Sequence, residues 1–318
     1  MKNKVSLIIP VRDEESSISE LLDSIMAQTR LPDEVVITDA GSKDATVRII
    51  EAYNVKRCPV RIIKAEPVYP GKARNIAIEA SSHDLIAMTD AGIRLDRLWL
   101  EKLLDPLEQM GGADIVYGSY EPRRDTFFKR CASIVFVPSH RSVGAKNMRS
   151  HFIASSLVRK EAWRSVGGFP ENFRAAEDKI FMESIERKGC KITFAPDAFV
   201  IWDISSNPVR LFKRFASYSY HDIKAARMAE WHYPVARMYA AGALMALLGT
   251  AVSGWFFGLI FLGIMGRTFG LIWERDKRGV VNPAKFVMVA TLMVLVDIAM
   301  FAGMAGYAAE KLMRKRCI

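Results

Sequence analysis

From residue 5 to residue 119, short apolar runs rich in β-branched side chains alternate with longer stretches whose apolar positions recur three and four apart. The runs at 5–9, 34–38, 60–64, 84–89 and 114–119 read as strands. Ile18, Leu21, Leu22 and Ile25, with polar residues between them, read as a helix that buries one face. This alternation predicts an α/β domain with a mainly parallel, doubly wound sheet. Ligands of such sheets gather outside the carboxyl ends of the strands, so the residues that end each run are the first candidates for chemistry. The stretch 121–151, rich in Arg, Lys, Ser and Phe, has weak periodicity and reads as a helix plus a long substrate-facing loop. Order returns at 158–166 with a Gly167-Gly168 turn after it, then a helix over 177–188, a strand at 191–195 and a separate short strand at 199–202.

The remainder of the chain has another character. Residues 240–266 carry no charged side chain, and 286–308 carry only Asp297. As helices these runs would measure about 40 and 35 Å, against a hydrocarbon core of about 30 Å, so each is long enough to cross a bilayer. The expected organisation is therefore a catalytic domain over 1–230 and a membrane region over 238–318. Gly249, Gly254 and Gly258 would allow the first run to fold back as a short hairpin, and basic residues both between and after the runs leave the topology open. Phe212, Arg214, Phe215, Tyr218 and Tyr220 suggest an interfacial helix or the lining of an acceptor-lipid channel. Asp297 calls for a partner on a neighbouring helix, and Gly303 and Gly306 would ease close packing there.

The formal net charge of +10 suits anionic lipid or a phosphate-bearing substrate, and beside an apolar tail these are better partners than nucleic acid. Cys58, Cys131, Cys190 and Cys317 form no C-x-x-C pair, which argues against a disulfide framework or a zinc site and fits a reducing compartment. The start of the chain runs directly into a strand, too short an apolar segment for a signal core, so the catalytic part is expected on the cytoplasmic side of a membrane.

Charged residues cluster where the strands end. The first strand leads into Pro10-Val11-Arg12-Asp13-Glu14-Glu15, and the second ends in Asp39-Ala40-Gly41-Ser42, where an acid can accept hydrogen bonds from a base or a ribose. Pro70-Gly71-Lys72-Ala73-Arg74-Asn75 opens a helix after the third strand; backbone N–H groups there, with Lys72 and Arg74, favour a diphosphate. The fourth strand ends in Thr89-Asp90-Ala91-Gly92, and an acid ending a buried strand needs a reason.

In their order, these segments resemble the family-2 glycosyltransferases of the GT-A fold. The opening strand with its Pro-Val-Arg-Asp-Glu-Glu looks like the start of that family, with Asp13 where Asn is commoner. Thr38-Asp39-Ala40-Gly41-Ser42 looks like its Val-Asp-Asp-Gly-Ser with one acid lost to Ala40, and Gly71-Lys72-Ala73-Arg74-Asn75 matches its glycine, basic and asparagine segment. Asp90-Ala91-Gly92 stands at its Asp-x-Asp, and Gly167-Gly168-Phe169-Pro170 with Glu177-Asp178 matches its Gly-Gly-Phe and Glu-Asp. The resemblance implies an inverting transferase that moves a sugar from a UDP- or GDP-linked donor to a membrane-bound lipid or polysaccharide acceptor. It implies that Pro10, Glu14 and Asp39 hold the nucleoside, that Lys72 and Arg74 lie near the diphosphate, and that Asp178 is the catalytic base. Asp90 would reach the ribose or a divalent metal, Mn2+ or Mg2+, shared with Asp203. Gly92 in place of the second acid leaves another arrangement open, with Lys72, Arg74 and either Arg141 or Arg214 carrying the leaving-group charge. A non-catalytic nucleotide-binding scaffold subunit of an envelope-polysaccharide assembly is the alternative that Ala40 and Gly92 suggest.

Overall fold

A computed structural model describes residues 3–53, 58–109, 112–138, 141–143, 146–148, 152–229, 231–276 and 282–316. The first strand, β1 (Val5–Val11), is buried on both faces because it lies inside the sheet, which is why its run reads as continuously apolar. It is followed by α1 (Ile18–Met26), whose Ile18, Leu21, Leu22 and Ile25 are all buried, then β2 (Glu34–Asp39), α2 (Thr46–Ala52) and β3 (Val60–Lys64). Pro70 opens α3 (Pro70–Ala80), where its fixed φ and missing N–H cost nothing. Then come β4 (Leu85–Met88), β5 (Ile93–Leu95), α4 (Trp99–Gln109), β6 (Ile115–Pro122) and α5 (Phe127–Phe136), the last capped by Thr126, whose hydroxyl accepts from Lys129 N at 3.2 Å.

A two-stranded antiparallel hairpin, β7 (Arg141–Val143) and β8 (Lys146–Met148), precedes β9 (Ser156–Arg159), α6 (Lys160–Ser165), α7 (Glu177–Arg187) and β10 (Ile192–Trp202). The stretch that reads as a helix plus a long loop thus holds the end of β6, the expected helix as α5, and this hairpin where the loop was expected. The side chains of His140, Arg141 and His151 lie outside the described residues. The main sheet has the order β3-β2-β1-β4-β9-β6-β10-β5. Pairing is parallel from β3 through β4 and between β6 and β10, while β9 and β5 run antiparallel to their neighbours. Connections leave β1 toward β2 on one side and reach β4 on the other, so the carboxyl ends of β1, β2 and β4 flank the point where the winding reverses.

The two late strands expected at 191–195 and 199–202 are one, β10, with a shift in register between Phe194 and Phe199. Pro196 falls in the shift; it has no N–H for the ladder, and it breaks the apolar pattern that would mark one strand. Below the sheet, Phe169 stacks on Phe181 with ring centroids 4.0 Å apart, in a core that includes Ile8, Val36, Met88 and Trp163.

The chain divides into one unit of residues 1–123 and 140–203 and a second of 124–139 and 204–318. The second is helical: α5, α8 (Pro208–Lys224), α9 (His232–Ala251), α10 (Trp255–Arg275) and α11 (Pro283–Arg316). The uncharged run 240–266 is not one helix; it is split at 252–254, so its first half ends α9 and its second half begins α10, which packs back on α9. Among the described residues, two helices are long and apolar enough to cross a membrane, Trp255–Arg275 and Pro283–Arg314. Asp297 of α11 meets the guanidinium of Arg267 of α10 at 3.0 Å and accepts from the Tyr239 hydroxyl of α9 at 3.1 Å, the neighbouring-helix partners its position calls for. α8 lies against α11 at Gly303, where an added Cβ would stand 2.3 Å from the Ala216 carbonyl oxygen. Two of the aromatic residues of α8 turn into this unit: Phe215 meets Phe136 edge-on at 5.0 Å, and the Tyr220 hydroxyl donates to Glu310.

Candidate active site

Two loops at the strand ends are laced together. After β1 the chain turns through Asp13 at φ 54°, a left-handed conformation that Asp and Asn tolerate through local hydrogen bonding. Asp13 N donates to the Ser42 hydroxyl at 2.9 Å, and Asp13 Oδ1 accepts from Lys43 N at 2.7 Å. Glu14 N donates to Thr46 Oγ1 at 2.7 Å, and Glu15 Oε2 accepts from Ala45 N at 2.9 Å. The acid-rich segment after β1 therefore owes much of its shape to the loop after β2. Asp39 is buried, and both its oxygens lie 3.2 Å from Ser42 N, closing its own turn.

A cavity of about 310 Å³ opens at these strand ends. Pro10, Arg12 and Glu14 come to it from β1 and its loop, Ala40 from the turn after β2, Tyr69, Pro70, Ala73 and Arg74 from the entry and first turns of α3, Asp90 from the turn after β4, and Arg174 from the loop before α7. Four expected site residues, Pro10, Glu14, Arg74 and Asp90, are brought together here. Asp39, Lys72, Asp178 and Asp203 are not part of its wall.

Arg74 is the hub. Its side chain is 4% exposed; Nη2 donates to Asp90 Oδ1 and Nη1 to Glu177 Oε1, each at 2.7 Å. Its guanidinium carbon lies 5.5 Å from the centre of the Phe169 ring, within cation–π range. Burial works to lower the Arg74 pKa, but Asp90, Glu177 and Asp178 together outweigh it and hold the guanidinium charged. Burial pushes the Glu177 carboxyl up to about 7; Arg74 pulls against that shift, and the neighbouring Asp178 charge adds to it.

The same hub explains why the separate motifs occur together. Asn75 Nδ2 donates to the Phe169 carbonyl at 2.9 Å while its Oδ1 accepts from Phe169 N at 2.9 Å and from the Trp163 indole at 3.1 Å. Gly71 is required for the approach of α3 to this loop, since a Cβ there would lie 2.3 Å from the Pro170 carbonyl oxygen. Lys72 points outward to Glu171 at 3.5 Å, half exposed. Ala176 then takes a left-handed φ of 69°, a strained conformation for alanine, immediately before Glu177 and Asp178 begin α7.

The Glu177 shift has a consequence for stability. An acid whose folded value lies above its ordinary 4.5 binds its proton more tightly in the folded state, so its contribution is fully present only below 4.5 and is lost as pH rises from there through about 7. The melting temperature is expected to fall between pH 5 and pH 8, and Glu177→Gln to flatten that slope; equal slopes in thermal melts of the two proteins would contradict it.

Asp90 and Asp203 are hard oxygen donors of the type that Mg2+ and Mn2+ prefer. Asp203 N donates to the Gly92 carbonyl at 3.2 Å, which sets the end of β10 beside the Asp90-Ala91-Gly92 turn, and its carboxylate stands 3.9 Å from Arg123. No cluster of three or more His, Cys, Asp or Glu side chains suited to a metal occurs among the described residues. A magnesium-like ion needs only one or two carboxylates when substrate phosphates complete its shell, and Asp90, which lines the cavity, is a donor of that type.

Sequence reasoning missed two features. Arg174, an exposed loop arginine, carries no pattern beyond its place between the Gly-Gly-Phe and Glu-Asp segments. Glu177 stands out only as the neighbour of Asp178, yet it is the buried partner of Arg74.

A mixed sheet of this order, with its carboxylates and a basic helix start gathered at the reversal of winding, defines the GT-A class of α/β domain. The sequence profile of "Glycosyl transferase family 2" matches residues 6–176, more than half of the chain. The chain belongs to that family and is a glycosyltransferase. Similar proteins include glycosyltransferase AglE of Haloferax volcanii, 28% identical over 214 residues that cover 65% of this chain and 68% of AglE. The O-antigen chain rhamnosyltransferase RfbN of Salmonella typhimurium is 27% identical over 229 residues, 67% of this chain and 70% of RfbN. Among solved structures, the mannosyltransferase PcManGT from Pyrobaculum calidifontis, in complex with GDP-Man and Mn2+, shares the fold with a TM-score of 0.63 at 19% identity, covering 95% of this chain and 88% of that one. Residues 1–349 of S. aureus TarS in complex with UDP-GlcNAc give a TM-score of 0.53 at 16% identity, covering 92% and 90%.

Proposed function

We propose that this glycosyltransferase moves a sugar, with inversion, from a UDP- or GDP-linked donor to a membrane-bound lipid or polysaccharide acceptor. The observation that carries this reading is the cavity walled by Pro10, Glu14 and Asp90, to which Arg74 ties the Glu177-Asp178 pair. The relatives support it by name: an O-antigen chain rhamnosyltransferase by sequence, and structural neighbours solved with GDP-Man and with UDP-GlcNAc.

In this reading Pro10 and Glu14 contact the nucleoside, with Asp39 shaping the turn beneath it, and the start of α3 with Lys72 and Arg74 lies beside the diphosphate. Asp178 accepts the proton of the acceptor hydroxyl as its oxygen attacks the anomeric carbon; the bond from that carbon to the diphosphate breaks, and its electron pair leaves with the nucleoside diphosphate. A divalent ion held by Asp90, with Asp203 as a second ligand, would offset the charge of the departing group. The helices α10 and α11 attach the protein to a membrane, with the catalytic unit on the cytoplasmic side.

Thermal-shift screening of the detergent-solubilised protein against UDP, GDP, CDP and their sugars is expected to single out one nucleotide. With that donor, turnover is expected to collapse in EDTA and return with Mn2+ or Mg2+. Full activity in excess EDTA would remove the ion from the mechanism, and no shift with any nucleotide would remove the donor.

A further inference from the structure

We infer that Arg174 is the cation that receives the negative charge of the departing diphosphate. The inference rests on the reading that the cavity takes a nucleotide sugar, and it follows from how the other cations are used. Arg74, the obvious candidate by position, already gives both ends of its guanidinium to Asp90 and Glu177. A buried arginine between two carboxylates has no net positive charge to offer, and breaking either pair would leave a carboxylate uncompensated. Lys72 is turned to Glu171 and is not in the cavity wall. Arg12 is in the wall, but its guanidinium faces the Asp13 carboxylate at 3.8 Å.

Arg174 remains. It lines the cavity with Pro10, Glu14, Arg74 and Asp90, and among the described residues it makes no hydrogen bond or ion pair, although Glu177 is only three positions on. Nor is its loop loosely held. Asn75 clamps Phe169 on the near side through two 2.9 Å hydrogen bonds, Pro170 rests on Gly71, and Ala175 and Ala176 are buried on the far side. A loop held at both ends thus presents an uncommitted guanidinium at the cavity that Asp90 also lines. Its planar fork suits two phosphate oxygens at once, which a lysine cannot match. As the bond to the anomeric carbon breaks, the electron pair and its charge arrive on the diphosphate oxygens, where Arg174 stabilises them more strongly than in the ground state.

The test is calorimetric titration of the full-length protein in EDTA, with UDP, UMP and uridine and with GDP, GMP and guanosine. Wild type, Arg174→Gln and Arg174→Lys are compared, and kcat and KM are measured with the matching donor and metal. Arg174→Gln is expected to weaken the preferred diphosphate by roughly tenfold or more, to leave the nucleoside within about twofold, and to lower kcat by about 10²-fold. Arg174→Lys should fall between, and the melting temperature should not move because the side chain is exposed and unpaired. Unchanged diphosphate affinity and kcat in Arg174→Gln would overturn the assignment, as would an equal loss of nucleoside and diphosphate binding. Failure of the wild type to bind any of the six compounds would instead overturn the donor reading on which it stands.

Discussion

Asp178→Asn is expected to leave the protein folded, with KM for its donor within about twofold, while kcat falls by roughly 10²- to 10⁴-fold, the range that removal of a general base produces. The side chain sits in the first turn of α7, where Oδ1 accepts a hydrogen bond from Lys179 N at 2.8 Å. Asparagine has nearly the same shape and keeps an oxygen for that bond, so the helix start survives, but it cannot take a proton. Glu177 offers no substitute: its carboxylate is 7% exposed and bound to Arg74. Steady-state kinetics with varied donor separates the two readings of Asp178. A base gives a loss in kcat alone, whereas a residue that only favours the helix start gives a small change in melting temperature and near-normal turnover.

The second large effect is on stability. Arg74→Met removes the one cation shared by Asp90 and Glu177 and leaves a buried carboxylate without its partner, a change that costs about 3–5 kcal/mol in comparable sites. Against a total stability of about 5–15 kcal/mol this is severe, and the melting temperature is expected to drop by roughly 10 °C. Adding Glu177→Gln removes much of the stranded charge, so the double variant should recover part of the loss. A double variant that lost the sum of the two single effects would show that the pair is not coupled. The expectation differs sharply from that for a cation standing free at a phosphate site, whose removal would weaken binding and spare the fold.

The difference between Arg74 and Arg174 shows where sequence reading reaches its limit here. β1, β2 and β4 were legible because strands buried on both faces read as unbroken apolar runs, and their last residues mark the site. Arg74 was legible as a site residue, but its partner Glu177 is 103 positions away, and no local pattern shows that the side chain is already paired. Lys72, two positions earlier on the same helix turn, points outward, a difference that only the packing of α3 on the Pro170 loop decides. β5 escaped notice because its three residues are too few to show a period. β10 was divided by Pro196, whereas the fold-back of the run 240–266 was legible as an option in Gly249, Gly254 and Gly258, and the helix ends at Ala251 and Trp255 were not, because apolar composition alone does not show where a helix ends. Arg174 carried no signal of its own; it becomes conspicuous only when the charges around the cavity are counted.

Transfer itself is tested most directly by release of nucleoside diphosphate from sugar donors by the purified protein. UDP- and GDP-linked sugars are supplied with extracted membrane lipids as acceptors, and Asp178→Asn is run beside the wild type. The wild type is expected to turn over donors of one nucleotide and to transfer the sugar to a lipid-phase or polymeric product, while Asp178→Asn binds the same nucleotide but releases almost none. Turnover by Asp178→Asn at the wild-type rate would contradict this expectation.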